Sequence, residues 1–238
     1  MSIDPHAAPP RILADVRPDG EEAPSASPAV VAQLLATEHW SLLGTRSMLW
    51  SELMSRISIQ LTVSSAALVV LALVAQATGF GTGFWVMAIG LSSALLVLGT
   101  LTLLRVTIGS LEDHRLVVGM NRIRGAYGEL APEVVDRFVT SARDDPEGVA
   151  LTYTLGSRRP LVLHAISSTT FFLAAFNAMV AGTLAALITY VAGGPIILVA
   201  VLGALAAAAY LGAHTWLSGS LFRRVLGSGF GKNASAAD

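Results

Sequence analysis

The chain contains no cysteine and a single lysine, and two long stretches carry no formal charge of either sign. Lacking cysteine, it has no disulfide staples, no thiolate metal ligands and no thiol nucleophile. The charge gap is more informative. Residues 57–104 contain no Asp, Glu, Lys or Arg, and neither do residues 160–222. Charged residues make up 13% of the chain, about half the usual share of a globular domain. Net charge is -1, so no overall basic field exists to draw nucleic acid, which is excluded as a partner. The N-terminus lacks the basic start and apolar run of a signal peptide. Residues 1–28 hold six prolines together with Asp4, Asp15, Asp19, Glu21 and Glu22, the composition of a disordered acidic tail.

What remains is arranged for a bilayer. One crossing needs about 20 apolar residues, so each uncharged stretch accommodates two crossings. The reversals Gly79-Phe80-Gly81-Thr82-Gly83 and Ala192-Gly193-Gly194-Pro195 are short and uncharged. All Lys and Arg residues then lie on one side, which the positive-inside rule makes the cytoplasm. The expected fold is all-α, a four-span transmembrane helical bundle of two helical hairpins with cytoplasmic amphipathic helices and both termini inside. Its parts are a tail (1–29), an amphipathic helix plus first transmembrane hairpin (30–104), a cytoplasmic helical segment (105–160), a second transmembrane hairpin (161–222) and a tail (223–238).

Val31, Leu34, Leu35, Leu42, Leu49, Leu53 and Ile57 recur at helical spacing. They predict an amphipathic helix on the inner leaflet or against the bundle, with Trp40 and Trp50 at the interface; a plain extension of the first span is the simpler alternative. Glu52 and Arg56 are ordered for an i, i+4 pair. Spans are expected over 60–78, 84–104, within 161–191, and over 196–217. The second should continue as a helix to about Ala126. Pro132 should open a helix to Ala142, Asp144–Gly148 should turn, and Val149–Gly156 reads as strand-like without a partner strand. Ala174, Ala178, Gly182 and Ala186 form one small-residue stripe, and Ala200, Ala204, Ala208 and Gly212 form another. Such stripes let helices approach closely within the hairpin or along an oligomer seam.

Candidate site residues are few. Asn177 is the most polar residue in the middle of the third span, expected to bond another helix, with a pore or ligand contact as the lesser alternative. His164 and His214 fall at similar depth at the inner interface and could pair, bind a metal or relay a proton; interfacial packing explains them equally. Arg105, Arg158, Arg159, Arg223 and Arg224 are placed to hold lipid headgroups. Glu112-Asp113-His114-Arg115 and Asp144-Asp145-Pro146-Glu147 gather carboxylates, which a solvated helix face and a turn account for. No metal-binding spacing, catalytic triad or nucleotide loop appears, so no enzyme activity and no cofactor is expected. No charged residue or proline lies within a span, unlike many ion-coupled carriers.

The order of an inner-leaflet helix bearing Trp40, Arg46 and Trp50, a charge-free hairpin and the Arg-bearing helix 105–127 resembles small multi-pass membrane proteins of actinobacteria. In layout, residues 31–127 are also similar to the SLATT class of two-span effectors, which implies membrane perturbation in nucleotide-triggered defence. The second hairpin departs from that two-span pattern, and no functional residue carries over. The expected protein resides in the bacterial cytoplasmic (inner) membrane and is a non-catalytic scaffold or accessory component. Its partners are the lipid bilayer and a second copy or another membrane protein. The alternative is a small oligomeric channel, permease or membrane-perturbing effector.

Overall fold

The computed structural model describes residues 26–156 and 166–229, with side chains as far as Arg224. Five α-helices follow one another: α1 (Pro28–Thr78), α2 (Thr82–Leu130), α3 (Pro146–Tyr153), α4 (Thr169–Val191) and α5 (Ile196–Gly229), with a 3-10 turn at Pro132–Arg137 before α3. No strand occurs among the described residues. Helices α1, α2, α4 and α5 are each long and apolar enough to cross a membrane.

α1 begins at a cap in which Ser27 Oγ accepts from Val30 N, with Pro28 in the first turn, where its missing N–H costs nothing. It then runs unbroken for 51 residues, and α2 for 49. At 1.5 Å per residue each is about 75 Å long, more than twice a hydrocarbon core. The amphipathic segment is therefore no separate helix on the leaflet. It continues the first span, and its face Val31, Leu35, Leu42, Leu49 and Leu53 turns toward α2 while Leu34 and Trp40 point away. Gly79, at φ 65°, makes the reversal between the two helices.

α1 packs along α2, α2 along α4 and α4 along α5, whereas α5 touches α2 only marginally. Glycines allow close approaches in both hairpins. A Cβ on Gly109 would stand 2.7 Å from Leu53 Cδ1, and one on Gly182 would stand 2.8 Å from the Gly203 carbonyl. The stripe Ala174, Ala178, Gly182 is buried as expected, but Ala200, Ala204, Ala208 and Gly212 are all exposed. α5 is rotated from that expectation because Gly203 and Ala207 are the residues that meet α4. Leu49, Leu53, Ile57, Leu103, Val106, Leu173 and Ala174 form the core, covered by Tyr210 and Leu211. At the turn end, Trp85 packs against Tyr190 in a tilted contact, 4.9 Å between ring centroids, and ties the two hairpins together.

The segment between α2 and α4 differs most from its sequence reading. α2 continues to Leu130, and the helix expected to Ala142 stops as a 3-10 turn at Arg137. Residues 144–148 are not a free turn. Asp145 caps α3 by accepting from Gly148 N at 2.7 Å, Pro146 follows it, and the strand-like Val149–Tyr153 is helical. Asp, Pro and Glu in succession are a helix start, and that local signal outweighs the β-branched residues behind it.

Candidate functional site

The charged ends of α1 and α2 meet in a node centred on Asp113, which is only 1% exposed. Its Oδ1 accepts from Arg46 Nε at 2.6 Å and from Trp50 Nε1 at 2.9 Å. Its Oδ2 accepts from the Tyr153 hydroxyl at 2.7 Å and, more weakly, from Arg46 Nη2 at 3.4 Å. Asp113 was expected on a solvated helix face and Trp50 at a lipid interface; both instead belong to one buried network. A buried carboxylate of this kind persists only with its charge paired and its lone pairs filled. Burial, reinforced by the Asp113 carboxylate, pushes the Tyr153 phenol well above its ordinary value, so it stays in the protonated form that can donate.

Two further networks flank this node. Toward the uncharged stretch, Arg105 donates to both Glu52 oxygens and to Glu112, while Arg56 donates to Glu52 Oε1 at 2.8 Å. Arg105 thus bridges α1 and α2, where headgroup contact was expected. Toward the far end, Asn121 Nδ2 donates to the Arg143 carbonyl at 2.8 Å, and its Oδ1 accepts from Arg124 and Thr152. Asn121 and Tyr153 together fasten α3 to the long hairpin.

Within the uncharged stretch, Gln60 Nε2 donates to Asn177 Oδ1 at 2.8 Å, joining α1 to α4. These residues are 1% and 0% exposed, and among the described residues Gln60 Oε1 and Asn177 Nδ2 find no partner. Gly99 clears the space, since a Cβ there would stand 2.8 Å from Asn177 Cγ. Asn177 therefore does bond across helices, and it is fully buried.

No protein-family model, curated protein or solved structure matches this chain.

Between the Asp113 node and the uncharged stretch lies a cavity of about 540 Å³, walled by α2, the start of α4, α5, Trp50 and Tyr153. His214 sits in its wall, 3.2 Å from Thr107 Oγ1 through Nε2. His164, the histidine expected beside it, lies outside the described residues, as do Arg158 and Arg159. Arg223 and Arg224 are exposed near the end of α5. Among the described residues no group of three His, Asp or Glu is placed to hold a metal ion.

Asp113 and Gln60 were missed because charge alone does not reveal which helical face is covered. A usable signal existed. Arg46 lies 32 residues before Thr78, and Asp113 lies 31 after Thr82. An antiparallel hairpin places residues equidistant from its turn side by side, which pairs Arg46 with Asp113.

Proposed function

We propose that this chain is a multi-pass protein of the bacterial inner membrane that carries a rigid cytoplasmic helical stalk and serves as a non-catalytic platform for a membrane partner or a second copy. One observation carries the reading: α1 and α2 run without a break to about twice the length a bilayer requires, and three separate polar networks brace the surplus. A span whose only task was to hold the chain in lipid would not need that bracing. The stalk also leaves Leu34, Trp40, Met48 and Val139 exposed, Trp40 at 71%. Scattered exposed apolar residues are ordinary, but several on one stalk fit a surface for association. The one-sided distribution of Lys and Arg supports a cytoplasmic stalk.

The alternative, an oligomeric channel or membrane-perturbing effector, draws its support from the layout shared with two-span effectors. The closed Gln60–Asn177 contact counts against a pore lined by Asn177 within one chain.

A photo-crosslinking residue at Trp40 or Met48, introduced in cells, tests the platform reading. A dimer adduct or one stoichiometric membrane partner is the expected product, and purified protein in liposomes should pass neither ions nor dye. Flux that depends on Asn177 would replace this reading with the channel.

A further inference from the structure

The cavity beside the Asp113 node has a size typical of small-molecule sites, and its chemistry restricts what it can hold. It spans the end of the uncharged stretch: Ala174 of its wall belongs to the apolar core, while His114 lies nine residues beyond Arg105. A ligand there meets hydrocarbon-like surroundings at one end and the polar boundary at the other. Phe171, Ala174 and Phe222 supply apolar wall. Among the described residues, His114, Thr169 and Ser218 line the cavity without a side-chain hydrogen-bond partner, so their donors and acceptors are available. Among the described residues no Lys or Arg lines it, and the one carboxylate among them, Asp113, is neutralised by Arg46. Among these residues an anionic head finds no cation, and a cationic head no free anion.

The geometry points to a binding site for an uncharged, hydroxyl-headed amphiphile of the cytoplasmic leaflet, of the diacylglycerol or monoacylglycerol class. Its hydroxyl head bonds His114, Thr169 and Ser218, and its acyl portion lies against Phe171, Ala174 and Phe222. Burial holds the His114 imidazole below its usual value despite the adjacent Asp113, which keeps it neutral near pH 7 and able both to donate and to accept.

The test uses the full chain in detergent micelles and a monoacylglycerol with a diazirine in its acyl chain. Saturable labelling is expected at the start of α4 or on α5 between His214 and Phe222, displaced by dioleoylglycerol and not by dioleoylphosphatidic acid. The nearly isosteric pair Thr169→Val and Ser218→Ala should weaken labelling about tenfold, the scale of two lost hydrogen bonds. Ser218→Trp, which fills the cavity, should abolish it. Labelling that does not saturate, that survives the nearly isosteric pair at unchanged helicity and melting temperature, or that phosphatidic acid displaces better than diacylglycerol would overturn the site. The site is independent of the platform reading, and loss of either leaves the other standing.

Discussion

Asp113 is held by three side chains, Arg46 and Trp50 from α1 and Tyr153 from α3, and the charged and neutral partners should register differently when lost. Replacing the carboxylate with an amide (Asp113→Asn) removes the charge that Arg46 faces and turns an –NH₂ either toward Arg46 and Trp50, which can only donate, or toward Arg46 Nη2 and the Tyr153 hydroxyl, which must then accept. Breaking a buried pair in this way costs about 3–5 kcal/mol, less here because Arg46 keeps 30% of its side chain exposed; a loss of about 2–3 kcal/mol is expected in detergent unfolding. Tyr153→Phe removes one neutral donor and should cost about 1 kcal/mol. If the two losses were equal, the ionic part of the node would be negligible. Gln60 and Asn177 form the simpler case of one bond in an apolar setting. Either Leu substitution alone leaves an amide without its partner, so the double variant should be less destabilised than the sum of the singles. A double-mutant cycle should give a coupling of about 0.6 kcal/mol. None of these partnerships shows in residue type. Asn177 drew notice because an amide is rare in hydrocarbon, whereas Gln60, at the edge of a charge-free run, looked like a boundary residue.

At the scale of elements, the long hairpin is braced by contacts whose strength depends on pH. Hydrogen bonds from Arg105 and then Arg56 hold the Glu52 carboxyl down to about 2. A carboxyl depressed on folding stabilises the folded form above its unfolded value and loses that contribution as pH falls. The α1–α2 brace should therefore be fully present above pH about 4.5 and weaken toward pH 2, an effect visible as a falling melting temperature. Glu52→Gln should flatten that part of the profile; an unchanged profile would show that the exposed pair contributes nothing. The docking of α3 rests on the Asn121 and Tyr153 bonds and on a close approach at its first turn. Gly148 lies against the Arg143 backbone, which a Cβ would strike. Gly148→Ala should release α3 and make the Arg143–Asp144 bond more open to trypsin, with the spans unaffected. The turn reading of 144–148 failed here for a definite reason. Asp, Pro and Gly serve both turns and helix starts; the Asp145 cap with Pro146 behind it starts the helix, and the Thr152 bond to Asn121 of α2 holds it in place.

At the scale of the molecule, the distribution of charge made the architecture legible. Two uncharged stretches with glycine turns at their middles imply four helices in antiparallel hairpins, and four such helices are present. The length of α1 and the rotation of α5 were not legible, because apolar periodicity runs through the membrane boundary without a break and small residues lie on more than one face of α5. The same charge argument predicts the sidedness, and the chain suits a direct test because it has no cysteine of its own. Single substitutions Gly81→Cys and Gly194→Cys should react with a membrane-impermeant maleimide on intact cells. Trp40→Cys and Val139→Cys, both on exposed surface, should react only after the membrane is opened. Reaction of all four on intact cells would mean that the stalk is not cytoplasmic. The reverse pattern would invert the positive-inside orientation and place the braced stalk, the Asp113 node and its neighbouring cavity on the outer face, where a partner from the cytoplasm could not reach them.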